Sequence, residues 1–261
     1  MDIALGAWLN LKVASLISSV RPSYFFEALI CLSCWQVYTL DHLMDAASIQ
    51  NPVTLRHSIH RKYRYYILIL LLLSFFVNLF LVWNAYAEIH FSGWIIAAAI
   101  ILYLILVKKY SFLKETAAAL LFALGIWFLP LKGSHDALRS ATGFVLFFVA
   151  ALLNIITFSY FEKEADSKQR QMSLAFYTDS PGLLLGMIFV IGITILFVFM
   201  HKFQKIENVY FLYLLVIPPI LYLFQNTFQK YKLYRVIGDV SFVVAPLCVL
   251  LVNSGINRLT C

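Results

Sequence analysis

The stretch CWQVYTLDHLMDAASIQ, residues 34–50, ends a long apolar run and places Asp41 and Asp45 four residues apart where the hydrophobicity stops. Residues at i and i+4 share one face of a helix, so both carboxylates point to the same spot. If the helix ends here, they also stand at its negative C-terminal pole, where each anion is disfavoured by about 0.3–1 kcal/mol. The sequence therefore demands something positive close by.

The surroundings of this stretch set the class of protein. Of 261 residues, 62% are hydrophobic and only 13% charged, with a mean hydropathy of +0.84. A soluble domain is about one quarter charged, so this composition describes an integral membrane protein. The apolar stretches are long and lack strict alternation, which favours helices over barrel strands because a helix satisfies its own backbone in lipid. No basic n-region or small-residue cleavage site marks the start, and the first twenty residues read as a membrane helix. The net charge of +7 is scattered between apolar segments, which suits loops facing anionic lipid and does not suit nucleic-acid binding. Cys31 and Cys34 lie inside an apolar helix without a second pair, so they read as small buried hydrophobes and imply neither zinc nor a disulfide.

Charge and Pro/Gly clusters divide the chain into nine spans, a single transmembrane domain over 1–261. They run 4–20, 24–44, 65–86, 92–108, 113–131, 141–161, 182–200, 209–226 and 236–253. Loops after even-numbered spans hold thirteen Lys and Arg residues, the opposite side holds six, and Lys12 lies within the first span. The positive-inside rule then puts the N-terminus and the even loops in the cytoplasm, and the C-terminus outside.

A second acidic cluster closes the sixth span, in NIITFSYFEKEAD. Glu162 and Asp166 repeat the four-residue spacing, and Phe158 and Asn154 continue that face back into the membrane. Two inward-running helices thus end in stacked acids on one side of the membrane. Four convergent carboxylates suit a hard divalent cation, and Mg²⁺ characteristically combines a few carboxylates with waters and substrate phosphate oxygens. With all four ionised, the empty site is expected to repel itself. Between the clusters, VKKYSFLKE places Tyr110 and Lys114 on one face, where they can hydrogen-bond and hold a phosphate oxygen.

Other polar residues carry less. Asp239 is expected to cap the last span, and Glu27 to pair with Arg21. His42 faces about 100° away from Asp41 and reads as interfacial. Asn78, Asn84 and Asn154 are expected to hydrogen-bond between helices.

The arrangement resembles the UbiA-like superfamily of intramembrane prenyltransferases. The likeness rests on nine helices, an aspartate motif closing helix 2 (Val37-x-x-x-Asp41-x-x-x-Asp45), a second acidic motif closing helix 6 (Glu162-x-x-x-Asp166), and YSFLK leading into helix 5. Val37 replaces the usual leading asparagine, Glu162 an aspartate, Glu115 a basic residue and Arg170 a glycine, the pattern of a divergent branch. The resemblance implies transfer of an isoprenoid chain from its diphosphate to a small lipophilic, aromatic acceptor. It implies Asp41, Asp45, Glu162 and Asp166 as Mg²⁺ ligands, with Lys114 and Tyr110 in catalysis. Lys114, Tyr110, Arg56, Lys168 and Asn154 are the implied substrate contacts, and no protein partner is implied beyond membrane lipids. The competing readings are a transporter, which normally places its ionisable groups near the midplane, and a non-catalytic membrane protein of the same architecture.

Overall fold

The computed structural model describes residues 2–48, 55–106, 113–168, 205–231 and 233–259, together with 182, 186, 187 and 192. Among these, every regular element is helical. The helices are α1 (Asp2–Ser18), α2 (Tyr24–Ser48), α3 (Leu55–Lys62), α4 (Arg64–Asn84), α5 (Tyr86–Leu106), α6 (Lys114–Gly133), α7 (Ala137–Lys168), α8 (Lys205–Leu223), α9 (Gln225–Lys230) and α10 (Leu233–Leu259). Six of them, α4 to α8 and α10, are long and apolar enough to cross a membrane. The apolar α1 has 17 residues, and α2 carries Glu27, Asp41 and Asp45. The expected span 182–200 lies almost entirely outside the described residues. Two short polar helices, α3 and α9, were not expected, because neither has the length or apolarity that a span requires.

α1 forms the axis. It packs against α2, α6, α7 and α10, while α8 bridges α7 and α10, and α4 and α5 lie outside α2 and α6. Ala7, Leu11, Ala14 and Ile17 of α1 are buried together with Phe147 and Ala150 of α7, Phe211 and Leu214 of α8, and Phe242 and Ala245 of α10. α1 ends in a Schellman motif: Ser19 adopts φ 57°, Val20 N–H bonds the Ser15 carbonyl at 3.0 Å, and Ser19 N–H bonds that of Leu16 at 3.3 Å. Close packing of α6 on α7 depends on Gly143, where an added Cβ would lie 2.2 Å from Cη2 of the buried Trp127.

One polar network joins the axis to the rest. Pro246 lies inside α10, so the carbonyl of Phe242, four residues earlier, has no helical N–H to accept from. Asn10 of α1 supplies it: Asn10 Nδ2 donates to the Phe242 oxygen at 2.7 Å and to that of Gly6 at 2.6 Å. Tyr210 of α8 donates its hydroxyl to Asn10 Oδ1 at 2.6 Å.

The ionic groups gather at the two ends of the bundle. At one end Glu27 pairs with Lys12 and accepts the Trp8 indole N–H at 2.9 Å, and Arg139 grips the buried Glu207 with both distances at 2.6 Å. Arg21 is thus not the partner of Glu27, because α1 turns back on α2 and brings Lys12 alongside it. Asp41 is fourteen residues further along α2 than Glu27, about 21 Å at helical rise, and the second end belongs to the acids of the sequence motifs. Asp239 falls in the second turn of α10, whose start at Leu233 removes the capping role. Asn78 of α4 donates to Ser33 at 3.2 Å and to Gln36 of α2, as expected. Asn84 instead bonds the Phe80 carbonyl of its own helix at 2.8 Å.

Candidate functional site

The positive group demanded by Asp41 and Asp45 comes from α6. No basic residue occupies the last turn of α2, so the helix cannot neutralise its own acids. Lys114 opens α6 and donates its ammonium to Asp45 Oδ2 at 2.9 Å. Its neighbour Glu115 is buried and accepts the Ser159 hydroxyl of α7 at 3.1 Å. Asp41, Asp45 and Glu115 all lie within electrostatic range of Lys114, and also of Tyr103 from α5.

The acid of α7 meets a different cation. Arg235, in the first turn of α10, binds Glu162 through Nε and Nη2, one to each carboxylate oxygen, and the Tyr234 hydroxyl donates to the same carboxylate at 3.1 Å. The guanidinium lies 5.2 Å from the Phe158 ring, and Tyr234 stacks on Phe161 with centroids 4.5 Å apart. Gly238 admits this packing, since a Cβ there would lie 2.5 Å from Phe158 and 2.6 Å from Asn154 Oδ1. Tyr38 of α2 is in electrostatic range of Arg235. The polar groups therefore form a circuit from α2 to α6, α7, α10 and back to α2.

His42 departs from expectation. It is buried, and one of its ring nitrogens lies with a carboxylate oxygen of Asp41 and one of Asp45, all within 4.8 Å of one another. The 100° offset between successive helical positions fixes where side chains leave the backbone but not where a long one ends. The Tyr38 ring, one turn earlier, meets the imidazole edge-on at 4.1 Å, and His60 of α3 contacts it at 5.7 Å.

Asp41, Asp45 and Lys114 are thus brought together, while Glu162 is held by Arg235. Asn154 is buried, with no hydrogen-bond partner for Oδ1 among the described residues. It lies eight residues before Glu162, about 12 Å along α7. Tyr110 lies outside the described residues, as do the side chains of Arg56, Asp166 and Lys168. Of the four expected acids, Asp45 and Glu162 each carry an ion-pair partner, so these two are compensated rather than mutually repelling. Sequence reading missed Arg235, Tyr234 and Glu115 as members of the site. The usable signal was the need of each buried acid for a cation, but only the fold shows that α10 supplies one to α7. The groove lined by Trp8, Lys12, Tyr24, Glu27, Ala28 and Cys31 belongs to the opposite end of α2.

The chain matches no protein-family model, no curated protein and no solved structure.

Proposed function

We propose that this protein is a metal-dependent intramembrane prenyltransferase, moving an isoprenoid chain from a prenyl diphosphate to a small lipophilic, aromatic acceptor. The observation that supports it most is the junction of the Asp41–Asp45 face with Lys114 at 2.9 Å, carboxylates for a divalent ion beside a cation for an anionic leaving group. The two carboxylates fit Mg²⁺, because their oxygens are hard ligands and one from each aspartate comes within 4.8 Å of the other. Such an ion supplies charge to a departing diphosphate.

The chain's own residues perform the rest. Asp41 and Asp45 bind and orient the ion, with Asp166 as a further oxygen donor. Lys114 releases Asp45 to contact a diphosphate oxygen, and Arg235 can do the same if Glu162 lets it go. Tyr110, Arg56 and Lys168 are proposed diphosphate contacts, and Asn154 a polar contact deeper in the bundle. The apolar helices exclude water from the carbocation left when the allylic C–O bond breaks. We place the protein in the cell membrane with nine spans, the acidic end and the N-terminus in the cytoplasm, and the C-terminus outside, on the census of basic residues.

A non-catalytic role is the second reading, favoured by the ion pairs that already engage Asp45 and Glu162. Purified protein should convert a mixture of prenyl diphosphates and aromatic acceptors, read by mass, only when Mg²⁺ is present. Metal-independent inertness together with no Mg²⁺-dependent binding of a prenyl diphosphate would leave the second reading standing.

A further inference from the structure

At the start of α2, away from the acidic motifs, α1 and α2 line a groove of about 480 Å³ with Trp8, Lys12, Tyr24, Glu27, Ala28 and Cys31, a size typical of small-molecule sites. Its charged members are the Lys12–Glu27 ion pair, and the two partners do not show equally. The Lys12 side chain is 31% exposed and that of Glu27 only 8%. Glu27 is also the better satisfied, since Oε1 accepts from Lys12 and Oε2 from the Trp8 indole at 2.9 Å. An ammonium has three N–H donors. Among the described residues Lys12 gives one of them, to Glu27, and otherwise has the Trp8 ring centroid 5.8 Å away. The pair is neutral in sum, but the charge it shows to the groove is positive.

Depth along the helices points to the occupant. Lys12 lies six residues before the end of α1, about 9 Å at helical rise, and Trp8 about 15 Å from it. Tyr24 opens α2 and is 86% exposed, as an aromatic at headgroup level is, and Cys31 lies about 10 Å further along α2. The groove therefore starts at the bilayer edge, holds its cation within snorkelling reach of the headgroups and continues among apolar side chains. A cation with donors to spare at that depth needs an acceptor that hydrocarbon cannot give. We propose that the groove seats one anionic phospholipid, with its phosphodiester on Lys12 and an acyl chain along Trp8, Ala28 and Cys31. Phosphate oxygens take the two remaining N–H groups as charge-assisted hydrogen bonds, and basic recesses between membrane helices recognise lipid headgroups in this way. The exposed Ala28 leaves room for the chain. The inference rests on neither metal binding nor prenyl transfer.

The test uses the full-length protein, delipidated in detergent and mixed with phosphatidylglycerol or phosphatidylcholine of the same acyl chains, with bound lipid counted by native mass spectrometry. The wild type should retain one phosphatidylglycerol with at least about tenfold preference over phosphatidylcholine. Ala28→Trp fills the groove without removing the ion pair, and should abolish the tight site. Lys12→Met combined with Glu27→Gln removes both charges together, so that neither is stranded, and should leave the two lipids bound equally. Equal retention of the two lipids by the wild type would overturn the proposal without any variant. A preference that survives Ala28→Trp would place the anionic lipid on the basic loops and overturn the groove as its site. Tighter retention of oleate than of phosphatidylglycerol would overturn the phosphodiester as the group that Lys12 holds.

Discussion

Replacing Asn10 tests whether the Pro246 break in α10 is held by α1. Asn10→Leu keeps the side-chain volume, so the cavity contribution is small. It removes two interhelical hydrogen bonds, one to the Phe242 carbonyl at 2.7 Å and one from the Tyr210 hydroxyl at 2.6 Å. Interhelical hydrogen bonds in membrane proteins average about 0.6 kcal/mol each. The Phe242 oxygen is then left without any donor, which adds at least about 1 kcal/mol, for a total of roughly 2–3 kcal/mol. The second half of the cycle is the decisive one. Pro246→Ala returns an N–H to position 246, so α10 can satisfy Phe242 within its own turn. In that background Asn10→Leu should cost about 1 kcal/mol less, a coupling of the size seen for contacting residues. The measurement is reversible unfolding in mixed micelles by added SDS, followed by tryptophan fluorescence in all four proteins. Equal costs of Asn10→Leu with and without Pro246 would refute the claim that Asn10 stands in for the missing helical donor.

Three further outcomes are expected. Arg235→Met should destabilise the protein by about 2 kcal/mol by stranding Glu162 at the membrane edge, and Glu162→Gln in the same chain should restore most of it in the same unfolding assay. Gly143→Leu should cost at least about 1–3 kcal/mol because its Cβ meets Trp127 at 2.2 Å; an unchanged thermal midpoint would show that α6 and α7 are less tightly apposed. Lys114→Ala should weaken retention of inorganic diphosphate, as followed by equilibrium dialysis, with Mg²⁺ binding preserved, whereas loss of both would mean that Lys114 builds the metal site rather than the anion site.

Much of the helical layout was legible because each span is a run of apolar residues closed by charge. The expected 24–44, 65–86 and 113–131 correspond to Tyr24–Ser48, Arg64–Asn84 and Lys114–Gly133. The expected gap at 87–91 corresponds to the break at Ala85 and the kink at His90, which takes φ 48° within α5. Ends were less legible. α7 runs on to Lys168 and α10 begins at Leu233 because a helix persists past the hydrocarbon edge as long as its residues favour it, and hydropathy registers only the apolar part. At the site, the Asp41–Asp45 face and its need for a cation followed from spacing and the helix pole. That Arg235 would serve Glu162 did not follow, since 73 residues separate them and no local pattern states which helices become neighbours. The closeness of the His42 ring to the two aspartates was not legible, because helical periodicity gives the direction of a Cβ, while the ring's contacts are with Tyr38 and with His60 of α3, a helix too short to leave a hydropathy signal.

The placement of α1 at the axis has a consequence for how the protein is made. α1 leaves the ribosome well before α6, α7 and α10, the helices that bury it, and its hydrogen bond from Asn10 to Phe242 spans 232 residues. At synthesis rates of about 5–20 residues per second, that bond must wait on the order of 10–50 s after Asn10 is made. Through that interval the Asn10 amide and the small residues Ala7 and Ala14 face lipid or provisional neighbours. Glu27 arrives almost at once to pair with Lys12, so the α1–α2 hairpin can shelter its charge early while its amide remains open. α1 is therefore made well before its environment is complete, and faults in α10 should be felt as instability of α1.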